Sequence, residues 1–232
     1  MPDYDKVMLP SKKCLSLLFF FLPLLIATIE AHAADDSDCA PVGDNPGPVI
    51  VLIQQHIPVY EEDSSKTRTE IEQLTTKSGS VGAFSPQGVN FGIRFERAYS
   101  SVRAPQAMIC LWVTKVDADV SVNKMVIYSA KEYPPGSCRY GEIIEHEHEH
   151  YRTFSYLISY YAERLRSEIE GLALPSSSRP WSVPSVKAGE RRITALLTGV
   201  QQSVYDSFSK ENEQRINEFH EQESHKQSHC QS

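Results

Sequence analysis

The chain has 232 residues, 41% of them hydrophobic, with 23 Lys and Arg against 30 Asp and Glu and a formal charge of −7. That acidic balance carries no basic patch and argues against nucleic acid as a partner. The length allows one domain of ordinary size with a real core, even after removal of a leader.

Such a leader is predicted first. Lys6, Lys12 and Lys13 precede an apolar run from Leu15 to Ile29, and Ala31-His32-Ala33 offers small residues where a signal peptidase reads. Residues 1–33 therefore read as a secretory signal peptide, cut after Ala33. A membrane anchor needs about 20 apolar residues; this run is shorter and ends at Glu30. About 200 residues remain, expected to be periplasmic or secreted with no stable membrane span.

Residues 34–48 are acidic and rich in Gly and Pro, an irregular lead-in. Residues 49–232 read as a single α+β domain, β-rich over 49–136 and helical over 137–226. Val49 to Ile53 is a short β-branched strand, which Val59-Tyr60 extends. Glu61 to Ser80 is polar with recurring Thr and reads as strand or loop. Phe91 to Glu96, Ala107 to Val116 and Val120 to Tyr128 alternate as antiparallel strands, with a tight connection near Asp117 to Asp119. Pro134-Pro135-Gly136 closes this half. Ser137 to Gly171 then has helical spacing, Leu172 to Pro184 is a Pro/Ser-rich break, and a second helix starts at Val186. Ile193, Leu196, Leu197, Val200, Val204 and Phe208 form its apolar stripe. The predicted architecture is a small antiparallel sheet followed by two long antiparallel helices.

Cys14 leaves with the signal, so Cys39, Cys110, Cys138 and Cys230 remain. An even count in an exported chain reads as two disulfides, and four cysteines allow three pairings. Cys110 and Cys138 bracket one β-rich stretch, and Cys39 and Cys230 lie near the termini. Proximity favours Cys110–Cys138 and Cys39–Cys230. No C-x-x-C pair points to metal instead.

Chemistry concentrates in His146-Glu147-His148-Glu149-His150. Two histidines four apart on a helix project from one face and reach one metal ion, with the intervening Glu147 placed to take a proton from a metal-held water. At about 100° per residue from Ile143, the apolar stripe of this helix runs from about −40° to +100°. His150 lies at about −20°, Glu147 at about +40° and His146 at about −60°, whereas His148 and Glu149 fall outside the stripe. A solvated charge run has no reason to turn a carboxylate into an apolar face. An ordered zinc site does.

The run resembles the active-site helix of the zincin metallopeptidases. The wider stretch Cys138-Arg139-Tyr140 with Ile143 to His150 resembles small exported bacterial proteins that join a β-rich half to a C-x-Y…H-E-x-x-H helix. The resemblance implies a zinc-peptidase-like site, with His146 and His150 as ligands and Glu147 as general base.

The downstream extension H-x-x-G-x-x-H is absent, since Thr153 and Tyr156 stand at those positions. Glu163 fails as third ligand, because it points to about 200° and lies roughly 20 Å along the axis. The ligand is expected from the returning helix. An end-to-end return would bring residues near Asp206 level with His150; an offset of a few turns brings Glu211, Glu213, His220 or Glu221. His220, after Ile216 and Phe219, is preferred, with Asp206, Glu213 and His225 as alternatives. Tyr140, Tyr151, Tyr160, Tyr161 and Tyr205 are the candidate oxyanion donors. The expectation is a Zn2+-dependent peptidase or amidase acting on a polypeptide or cell-wall peptide. The rival is a metal-stabilised exported protein without catalysis.

Overall fold

The computed structural model describes residues 39–43, 46–75, 79–102, 108–223 and 229–230, all within the unit Ala34–Ser232. The signal-peptide expectation for 1–33, Cys14 and the candidate His225 lie outside the described residues. The chain order is β1 (Ile50–His56), β2 (Glu61–Asp63), α1 (Arg68–Thr75), β3 (Gly82–Gln87), β4 (Asn90–Val102), β5 (Met108–Ser121), β6 (Lys124–Ser129), α2 (Cys138–Glu170), β7 (Trp181–Val183) and α3 (Val186–Glu223). The α+β class and the disulfide bonding hold. No described helix is long and apolar enough to cross a membrane.

Two sheets take the place of the single antiparallel one. One has the order β1-β5-β4 with β7 also on β5, and the other has the order β2-β6-β3. β1 runs parallel to β5 and β2 parallel to β6, while β3, β4 and β7 are antiparallel to their partners. The registers explain why there are two sheets. His56 and Asn90 flank Ser121, and Glu61 and Ser85 flank Val126, so one three-stranded ribbon bends where β5 hands over to β6. Gly88 makes the bend: its φ is +64°, and a Cβ there would lie 2.3 Å from Asn123 Nδ2. Only glycine adopts that backbone and leaves that space at no steric cost. The connection expected at Asp117 to Asp119 instead lies within β5, near its end; the turn falls at Val122-Asn123, whose amides bond His56 O and Gln87 O.

The polar stretch expected as strand or loop holds a helix, α1. Thr67 caps it by accepting from the Glu70 amide, and Glu70 accepts from the Thr67 amide at 2.7 Å. This is a reciprocal capping box. Those bonds from Thr67 hold the Glu70 carboxyl below its ordinary range. Ile71 is the buried residue that anchors α1.

Ser137 caps α2 by accepting from the Tyr140 amide, and Gly171 ends it. Its buried face is Ile143, Glu147, Phe154, Leu157, Ile158, Tyr161, Ala162, Leu165 and Ile169. This is the stripe that the periodicity predicts. It packs with Leu111, Val113, Val116, Val120, Ile193, Leu197, Val204 and Phe208 in the main core. α3 returns antiparallel to α2, with the Tyr161 hydroxyl on Glu211 and Ser207 O, and His150 opposite His220.

The disulfides are Cys39–Cys110 and Cys138–Cys230, which corrects the expected Cys110–Cys138 and Cys39–Cys230. The lead-in is tied down by Val42 N to Ser177 O and by Gly47 N to Ser177 Oγ, beside the turn that leads into β7. β7 pairs with Ile109 to Leu111, so the lead-in and the start of β5 meet. Cys138 opens α2, and the antiparallel return of α3 brings the C-terminal segment back to it.

Candidate metal centre

His146 and His150 come from the third and fourth turns of α2, and His220 from the last turn of α3. Candidate ligand atoms of the three lie within 4.8 Å of one another. His150 Nε2 is 3.3 Å from His146 Nε2 and 3.1 Å from His220 Nε2. Two nitrogens bound tetrahedrally to one zinc, each at about 2.05 Å, stand about 3.3 Å apart. The spacing fits such an ion. A hydrogen-bonded alternative fits less well, because a ring nitrogen has one in-plane position, filled by either a proton or a lone pair. His150 Nε2 therefore bonds one of its two neighbours, whereas a shared cation accepts all three lone pairs.

All three imidazoles are half-buried. The His146 and His220 rings are parallel at 5.6 Å, and the Phe219 ring contacts His146 and His150 at 4.9 and 4.8 Å. Phe219 thus gives the cluster an apolar wall. Glu223, one turn after Phe219, places its carboxylate 3.6 Å from His146 Nδ1. Nδ1 lies on the opposite side of the ring from the converging Nε2. A carboxylate on that side of the ring stands where an outer partner orients a histidine ligand.

Glu147 is buried at 7% exposure. Its carboxylate rests over Gly82 of β3, where an added Cβ would meet Oε1 at 2.8 Å and Ile143 Cγ2 at 2.6 Å. His146 and His150 face α3 and Glu147 faces β3. The helix angles give this division, since Glu147 lies about 80° around α2 from the mean of the two histidines. His148 is half-buried, not outward, because Tyr60 and Tyr151 cover it with ring centroids at 5.3 and 5.7 Å. Glu149 pairs with Arg152 on the surface.

The other candidates are occupied elsewhere. Glu163 accepts from Gln55 and pairs with Arg166, away from the cluster. Asp206 accepts from Gln202, Glu211 from Tyr161, and Glu213 is exposed. Among the tyrosines, Tyr140 donates to Glu62 at 2.6 Å, and that bond, with burial, raises its phenol above the ordinary range. Burial and then Glu211 do the same for Tyr161. Tyr151 packs edge-on to Tyr60 and Phe84, Tyr205 against Phe91, and Tyr156 and Tyr160 are exposed.

Two features escape a motif search centred on H-E-x-x-H. Glu223 lies outside any familiar pattern. Cys138, Glu142, His146 and His150 recur every fourth residue along one ridge of α2; that spacing is legible, but only once Cys138 is read as part of the helix. No protein-family model, no curated protein and no solved structure matches the chain.

Proposed function

We propose that this chain is an exported zinc-dependent hydrolase, a peptidase or amidase, with His146, His150 and His220 as the metal ligands. The approach of His146 Nε2 and His220 Nε2 to His150 Nε2, at the separation two zinc-bound nitrogens take, carries the proposal. Three histidines leave a fourth position open, as catalytic zinc sites do and closed structural sites do not. Glu223 stands at Nδ1 of His146 and so is placed to orient that ring, not to fill the fourth position. Bound zinc would supply a Lewis acid that polarises a carbonyl and makes a coordinated water a better nucleophile. Glu147 is assigned the proton transfer, and Gly82 leaves the room its carboxylate occupies. The two disulfides suit an oxidising compartment, where a polypeptide or cell-wall peptide is the proposed substrate.

One observation favours a second reading, a metal clamp without catalysis. The imidazoles link α2 to α3, while Glu147 faces β3 on the other flank of α2. Glu147→Gln decides between the two. The variant retains zinc in both readings. Lost hydrolysis across a peptide and cell-wall fragment library supports the hydrolase; hydrolysis equal to wild type removes Glu147 from the mechanism. Wild type inert on the whole library favours the clamp.

A further inference from the structure

We propose that Cys138, Glu142 and Cys230 form a second divalent-metal site, closed while the two cysteines are disulfide-bonded and opened by their reduction. The inference goes beyond the histidine centre and does not depend on it. The two Sγ atoms and a Glu142 carboxylate oxygen lie within 4.8 Å of one another. The Cα atoms of Cys138 and Cys230 are 5.7 Å apart, within reach of two thiolates sharing one ion.

The sulfurs have a reason to stay together once the bond is cut. Glu142 Oε1 accepts the backbone amides of His229 and Cys230 at 2.8 and 3.3 Å, which docks the C-terminal segment on the first turns of α2. Its other oxygen accepts from Arg139 at 2.7 Å. The docking is therefore held by hydrogen bonds as well as by sulfur. Glu142 would ligate by exchanging its Arg139 contact for the cation.

The two disulfides differ in access. Cys39 and Cys110 are buried at 8% and 3% exposure, whereas Cys138 is exposed and Cys230 half-buried. An accessible disulfide is the more readily attacked of the two. A dithiol reduces it by thiolate exchange: the Cys138–Cys230 bond breaks, both cysteines end as thiols, and the dithiol leaves as its own disulfide. Binding of the cation then releases the two thiol protons. Two thiolates and one carboxylate favour a borderline or soft divalent ion such as Zn2+ or Cd2+ over Mg2+ or Ca2+. The site would sit one turn before His146 on the same ridge, so reduction would change the charge and docking at the N-terminal end of the histidine centre.

The test is a cadmium titration of the full mature chain, before and after treatment with a dithiol and its removal under anaerobic conditions. The readout is the ultraviolet thiolate-to-cadmium charge-transfer band, which imidazole ligands do not produce. The expected result is a band on the reduced wild type that saturates one equivalent beyond any cadmium the histidine centre takes up, and no band on the oxidised protein. With Cys39–Cys110 shown intact by thiol counting, it should persist in His146→Ala and fall by at least half in Cys138→Ser. Reduced wild type with titratable thiols at Cys138 and Cys230 but no band would overturn the proposal, as would a band unchanged in Cys138→Ser. Glu142→Gln should keep the thiols and weaken the titration; full-strength binding in that variant would remove Glu142 from the site.

Discussion

Gly82→Ala and Gly141→Ala make the same chemical change and should shift stability in opposite directions. At Gly82 the new methyl would lie 2.6 Å from Ile143 Cγ2 and 2.8 Å from Glu147 Oε1. Carbon atoms in ordinary contact stand about 3.5–4.0 Å apart, so the seam between β3 and α2 must open by about 1 Å. Ile143 is buried and β-branched, with little rotamer freedom in a helix. Overpacking of this kind costs about 1–3 kcal/mol. For a domain of this size each kcal/mol moves the melting temperature by about 2–4 °C, which predicts a loss of about 2–12 °C. Gly141, in the first turn of α2, is exposed, and nothing lies within 4 Å of an added Cβ. There alanine should stabilise by up to about 1 kcal/mol through helix propensity. Thermal melts followed by circular dichroism, with a chelator present, measure both. A Gly82→Ala protein that melts at or above the wild-type temperature would refute the close seam and the placement of Glu147 within it.

Glu223→Gln should weaken zinc binding about 10–100-fold, the usual effect of losing an orienting carboxylate behind a histidine ligand; affinity equal to wild type would show that Glu223 does not act through His146. Mapping of proteolytic peptides without reduction should recover Cys39 linked to Cys110 and Cys138 linked to Cys230, and a Cys110–Cys138 peptide would contradict the fold at both ends. Burial and Glu211 raise the Tyr161 phenol above its ordinary value of 10.0. The folded state then holds a proton that the unfolded state loses, so this group's stabilising contribution is complete below pH 10.0 and is lost as pH rises through the folded value. Urea titrations at alkaline pH should show that decline in wild type and a shallower one in Tyr161→Phe; identical slopes would sink the assignment.

The inward stripe of α2 was legible because a long helix repeats its period over many turns. The same arithmetic turned Glu163 away from the histidines, and the structure places it on Gln55 and Arg166. His220 was legible as a residue type near an apolar pair, but its depth along α3 was not. The Pro/Ser-rich break holds β7, which carries the chain back across the sheet before α3 begins. His150 opposite His220 and Tyr161 opposite Glu211 put Glu170 level with about residue 201. The first turns of α3 thus run past the end of α2, so counting from the break brings Asp206 too early. The cysteine pairing failed for a related reason. Nearness in sequence favoured Cys110 with Cys138, but the antiparallel helix pair brings the C-terminal segment to the start of α2. The capping box at Thr67 and Glu70 was present in the letters and lay hidden in a run read as alternating threonines. Parallel pairing of β1 and β2 leaves no local mark at all, because it is set by registers with strands more than sixty residues away.

The most direct measurement is zinc titration by calorimetry of the metal-stripped chain and of His150→Ala. Of the three imidazoles, His150 is the one whose Nε2 faces both others. A three-histidine centre predicts one zinc per wild-type chain, loss of that binding in His150→Ala, and the same metal-free melting temperature for both within a few degrees. Wild type that takes up no zinc, or a His150→Ala protein that binds it as tightly, would contradict the three-histidine centre.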